Sequence, residues 1–117
     1  MSEVLDATIP RRLLSGHQLH HWRARQRDRR LWLAEMAAAF GQARGRRLEA
    51  VVITRLMGPR ERPYDLDNLA YGSCKQIVDA LVRLGWAEDD KSLPVNYRQE
   101  RAPNGRAGVR VELREVA

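Results

Sequence analysis

The sequence predicts an α+β domain: a small mixed β-sheet with two main helices packed on one face. Three observations carry this. The β-branched run Val51-Val52-Ile53-Thr54 has the composition of a strand buried on both faces. Two longer segments repeat apolar residues at three- and four-residue spacing, as helices do. Short alternating stretches near both ends read as further strands. The order is β-α-β-α-β-β, and 117 residues suit one domain, residues 1–117.

Leu5, Ala7 and Ile9 alternate with polar residues, so 3–9 is a strand that ends near Pro10. Ser15 is the expected N-cap of a helix running to about Phe40 and stopping at Gly41. Its first half is basic and is expected to project from the body. Its second half, with Leu31, Trp32, Leu33, Met36 and Phe40, is expected to pack. Residues 48–57 form the central strand, and 58–63 a polar loop. Leu66, Leu69, Ala70, Ser73, Ile77, Ala80, Leu81 and Leu84 mark a second helix, with Gly85 as its C′ residue. Val78 and Val82 lie off that stripe, which suggests a second covered side, for instance against another subunit. Val95, Tyr97 and Gln99, a turn at Pro103-Asn104-Gly105, then Val109, Val111 and Leu113 read as a hairpin.

Composition sets the functional class. A hydrophobic share of 44% excludes a disordered chain. No apolar run approaches the ~18–20 residues of a membrane span, and the N-terminus has no signal-peptide pattern. The single cysteine, Cys74, cannot form an internal disulfide or a cysteine-based metal site. It reads as a small packed helix residue, and a reducing cytoplasm is the expected compartment. The net charge of +6 points to a polyanion, nucleic acid first.

That charge is unevenly spread. Residues 1–62 carry 13 basic and 6 acidic side chains, residues 63–91 carry 3 and 6, and residues 92–117 carry 5 and 3. Carboxylates repel a phosphate backbone. A divalent cation between them and a phosphate gives the acidic middle a use, and a plain solvated face is the other reading.

The acidic middle holds Asp65-Leu66-Asp67-Asn68, then Lys75, Asp79 and Glu88-Asp89-Asp90. In an extended segment Asp65 and Asp67 point the same way and can aim at one hard cation such as Mg²⁺. A third carboxylate would come from the 88–90 cluster. An N-cap role explains one of the pair, most simply Asp67. Acidic groups beyond a helix C-terminus oppose its dipole, at ~0.3–1 kcal/mol each, which suggests another use for the cluster. Lys75 and Asp79 also suit an ordinary i,i+4 pair.

These residues together resemble the RusA family of Holliday-junction resolvases. The likeness lies in Asp65-x-Asp67-Asn68-Leu69, Lys75-x-x-x-Asp79-Ala80-Leu81, Gly85 and Asp89-Asp90, and more weakly in Leu14 to Arg23. It implies a homodimeric, Mg²⁺-dependent endonuclease, with Mn²⁺ as a substitute. Such enzymes nick opposed strands of a four-way DNA junction in recombination and repair, and many are encoded by phages. On this resemblance Asp65, Asp67 and Asp90 match the catalytic, metal-holding positions. Lys75 matches the functional lysine, with Asn68, Asp79 and Asp89 in support. Lys75 follows Asp67 by eight residues, where the best-known members have four, a shift of about one helical turn, ~5.4 Å.

An unbroken helix from Asn68 to Leu84 would be ~25 Å long and would hold Asp90 far from Asp67. Either the helix starts late, near Gly72, or Asp90 of one chain meets Asp65 and Asp67 of a second. The basic segment is expected to hold DNA phosphates through His17, His20, His21, Arg23, Arg25, Arg27, Arg29 and Arg30. The three histidines also have helical metal-ligand spacing, a weaker reading. Trp22 and Tyr71 are candidates for stacking on bases, and Trp32 and Trp86 for packing. The expected function is junction resolution by metal-assisted phosphodiester hydrolysis. The alternatives are a non-catalytic phage-type DNA-binding accessory protein with the same fold, and a nuclease for other branched or single-stranded DNA.

Overall fold

The computed structural model describes residues 4–116. Residue 3 of the expected first strand, and residues 1–3 and 117 of the expected domain, lie outside the described residues. The elements are β1 (Val4–Ile9), α1 (Trp22–Phe40), β2 (Leu48–Met57), α2 (Leu66–Ala70), α3 (Ser73–Arg83), β3 (Val95–Arg101) and β4 (Gly108–Glu115). The α+β class and the element order agree with the sequence reading, with the second helix divided in two. Among the described residues, no helix is long and apolar enough to cross a membrane.

The sheet is mixed, in the order β1-β4-β2-β3. β2 pairs antiparallel with β4 on one edge and parallel with β3 on the other. Its residues 51–57 are all buried, as the β-branched run requires. Facing residues in register, Ile53 with Val111, Val51 with Leu113 and Ile9 with Val109, share one core with Trp32, Met36, Ile77 and Leu81 from the helices. Both main helices therefore pack on one face of the sheet. Each fully buried Trp32, Ile77 or Leu81 side chain contributes roughly 1.5–3 kcal/mol.

The expected C-terminal hairpin is overturned. β3 and β4 do not pair, because β2 lies between them. The Asn104-Gly105 turn is present, closed by Gly105 N–H to Ala102 O at 3.0 Å, but its six-residue connection crosses the end of β2. Ala102 N–H donates to Met57 O there, at 2.9 Å. β2 is the most apolar strand and needs a partner on both edges. The polar alternation of β3 suits an edge.

The first helix starts later than expected. Ser15 caps a separate turn: Ser15 N–H donates to Gln18 Oε1 at 2.8 Å, and Gln18 N–H to Ser15 Oγ at 3.2 Å. Leu19 is buried beneath that turn. α1 then begins at Trp22, with His21 as N-cap accepting from Arg23 N–H. The basic half of α1 does not project from the body. Asp28 is buried there and accepts from Trp32 Nε1 at 3.1 Å and from Ser73 Oγ at 3.2 Å.

The second helix breaks at Tyr71-Gly72. The segment before α1 crosses at this point: Ser73 N–H donates to Leu14 O at 2.9 Å, and Leu14 N–H to Ser73 Oγ at 2.9 Å. A Cβ on Gly72 would stand 2.0 Å from Leu14 O, so the crossing needs glycine. α3 therefore has 11 residues, ~16 Å. It ends as expected at Gly85, with φ +87°, in a Schellman arrangement: Trp86 N–H to Leu81 O and Gly85 N–H to Val82 O. Val78 is buried by its own chain, in a wall shared with Leu93, Val95 and Tyr97. It needs no second subunit to cover it.

Candidate functional site

The late start of α3 brings its lysine face against the chain that returns after Gly85. Lys75 Nζ stands 3.7 Å from Asp79 Oδ2 and 3.7 Å from Asp90 Oδ2. All three side chains are half-buried, and they line a cleft of about 280 Å³ with Tyr71, Leu93 and Tyr97. Pairs this exposed contribute ~0–1 kcal/mol to stability. The grouping forms within one chain.

Asp65 and Asp67 are used differently. Asp65, not Asp67, is the N-cap of α2. Its Oδ1 accepts from Asn68 N–H at 2.8 Å and its Oδ2 from Asn68 Nδ2 at 3.0 Å. Asp67 is in the first turn of α2, exposed, without a side-chain hydrogen bond or ion pair among the described residues. The pair is thus not in an extended segment. Asp67 O accepts from Tyr71 N–H at 3.0 Å, which puts the carboxylate one turn before a residue of the Lys75 cleft.

Asn68 joins the motif to the segment before α1. Its Oδ1 accepts from His17 N–H at 3.2 Å and its backbone O from Gly16 N–H at 2.8 Å. Asp89 accepts from Lys91 N–H at 2.9 Å and Ser92 N–H at 2.7 Å. The Ser92 hydrogen bonds hold its carboxyl below the usual aspartate range. Asp89 shapes the turn that presents Asp90.

The basic residues divide into two rows on α1. Arg25 and Arg29 face α3 and line a cleft with Lys75 and Asp79; Arg25 Nη1 also donates to Tyr71 O at 3.2 Å. Arg23, Arg27 and Arg30 share the outer face, exposed to solvent. His17, His20 and His21 precede the helix instead of lying on it. The His17 and His20 rings stack at 5.9 Å, and His20 Nδ1 lies 2.8 Å from His17 O. A second cleft, of about 370 Å³, sets Arg29 and Arg83 among Asp79, Glu88, Asp89 and Asp90.

The donor chemistry of Asp65, Asp67 and Asp90, all carboxylates, suits a hard cation. No three His, Cys, Asp or Glu among the described residues are grouped to hold a metal together. Mg²⁺ is commonly held by one or two carboxylates with water and substrate phosphate. The arrangement fits that mode, and it does not form a cage of Asp65, Asp67 and Asp90.

Sequence reasoning missed three residues that position the site. Asp28 joins α1 to the first residue of α3, and burial raises its carboxyl above the usual range despite hydrogen bonds from Ser73 and Trp32. Arg55, buried in β2, donates to Glu61 Oε2, Gln99 Oε1 and Arg62 O, and its guanidinium lies 3.6 Å from the Tyr64 ring. Gln99 also clamps the Tyr64 backbone at both N–H and O, at 2.9 Å each, immediately before Asp65. The signals were present: a lone acid in a basic helix, four residues before a tryptophan, and an arginine inside an apolar strand. Cys74 is buried as expected, its thiol pushed up to about 12 by burial and by nearby Asp28.

Compared with known proteins, the chain matches no family model, and no curated protein matches it.

Proposed function

We propose that the protein is a Mg²⁺-dependent endonuclease for branched DNA, of the kind that resolves four-way junctions in recombination and repair. The observation that carries this reading is Lys75 held between Asp79 and Asp90 beside the Arg25–Arg29 face of α1. Cationic side chains next to carboxylates are what phosphodiester hydrolysis asks of a site: one set holds phosphate, the other a cation. Asp90 with Asp67 or Asp65 would hold Mg²⁺, which when bound supplies an activated water and neutralises phosphate charge. Lys75 supports charge on the phosphate, and Asp79 holds Lys75 in place. His17, His20, His21, Arg23, Arg27 and Arg30 bind the junction arms through phosphates, so affinity falls with salt. A homodimer would match two sites to two opposed strands. The cytoplasm is the compartment this function implies.

A second reading has its own support. Asp65 spends both carboxylate oxygens on Asn68, and no three candidate ligands among the described residues converge. That favours a non-catalytic DNA-binding protein. One assay separates the two: a labelled four-way junction, a duplex and a single strand, each with Mg²⁺ or EDTA. The nuclease reading expects paired nicks in the junction with Mg²⁺ only. Tight binding with no Mg²⁺-dependent cutting establishes the second reading, and equal cutting of all three removes the junction preference.

A further inference from the structure

The cleft between α1 and α3 has a composition that phosphate contact alone does not explain. It holds about 260 Å³ and is lined by Trp22, Arg25, Arg29, Lys75 and Gln76, among others. Trp22 is 63% exposed, although a tryptophan in water forgoes a large apolar contact. Its indole is braced from its own chain, with the His21 ring at 6.3 Å and the Arg23 guanidinium at 5.5 Å. Gln76 is only 3% exposed and lines the same cleft.

We infer that this cleft binds a single unpaired nucleotide. The base stacks on Trp22, its polar edge meets the Gln76 amide, and its phosphate lies against Arg29 and Lys75. An aromatic platform flanked by cations is how single strands are held. A base inside a duplex has both faces covered by its neighbours and offers none to the indole. The cleft shares Lys75 and Asp79 with the candidate reaction centre. The inference therefore deepens the proposed function and rests on it: the preferred substrate carries an unstacked nucleotide next to the cut.

The test needs no cutting. Trp32 and Trp86 are buried, so Trp22 is the exposed fluorophore. The full chain in EDTA is titrated with an eight-nucleotide oligothymidine and, separately, with a blunt duplex. The oligothymidine is expected to quench tryptophan emission and the duplex to leave it unchanged. W22A should weaken oligothymidine binding at least about fivefold, as loss of one stacked base does. R29Q should lower the salt slope of that binding by about 0.7, as loss of one phosphate contact does on a single strand. Both residues are exposed, so the variants keep the fold, which circular dichroism checks. The inference is overturned if oligothymidine does not bind, if it saturates without quenching, or if W22A binds it as tightly as the parent chain. Failure of the nuclease reading appears elsewhere, as a junction bound in Mg²⁺ and left uncut.

Discussion

Two acidic regions of this protein look alike in sequence and differ in what they do with their charge. At Asp65-x-Asp67-Asn68 the first carboxylate is spent on its neighbour: both oxygens accept from Asn68, three residues on. At Lys75, Asp79 and Asp90 the charges meet across 15 residues of chain, at 3.7 Å, with no hydrogen bond between them. The first region builds backbone. It caps α2 and, through Asn68, fastens the segment before α1. The second pairs one lysine with two carboxylates at the rim of a cleft. Proximity in sequence favours local capping.

Gly72 should give the largest effect, because both regions hang on the crossing it permits. A Cβ there meets Leu14 O at 2.0 Å. G72A is expected to cost at least about 3 kcal/mol in urea unfolding, and a stable G72A protein would show that the crossing is not tight.

Asp28 comes next. D28A removes the acceptor of Trp32 Nε1 and Ser73 Oγ and should cost about 1–3 kcal/mol. D28N keeps an oxygen acceptor and removes the buried charge. Because burial raises the native carboxyl above its unfolded value, the native state binds the proton first. The Asp28 contribution to stability therefore grows as pH falls from the raised native value toward the ordinary aspartate value. D28N should flatten that part of the curve of thermal midpoint against pH; an unchanged curve would remove Asp28 as its source.

In the capping region, D65A should cost about 0.5–2 kcal/mol, the usual loss of an N-cap. K75M and D79N, on the other side of the comparison, should move stability by no more than about 0.5 kcal/mol. Denaturant midpoints that fall as far for K75M as for D65A would erase the distinction between the two regions.

Part of this was legible in the sequence, for local reasons. β2 announced itself by a β-branched run, and α3 ended where a glycine allows positive φ. The grouping of Lys75, Asp79 and Asp90 required the helix to start near Gly72, one of two alternatives the spacing left open. The misreadings have physical causes. Asn104-Gly105 specifies a turn but not the partner strand, and β2 took the central place that its burial demanded. The apolar stripe runs on through Leu69, Ala70 and Ser73, which hid a break imposed from outside by Leu14. Asp28 and Arg55 went unread because a buried charge is recognised by the partners that surround it, and those lie up to 45 residues away.

The most direct measurement of the central claim is single-turnover cutting of a four-way junction by D90N, with the junction fully bound and Mg²⁺ present. D90N is expected to bind as tightly as the parent chain and to cut at least about 100-fold more slowly, the scale for loss of one charge-stabilising group. Cutting by D90N at the parent rate, or no cutting by the parent chain with either Mg²⁺ or Mn²⁺, would contradict it.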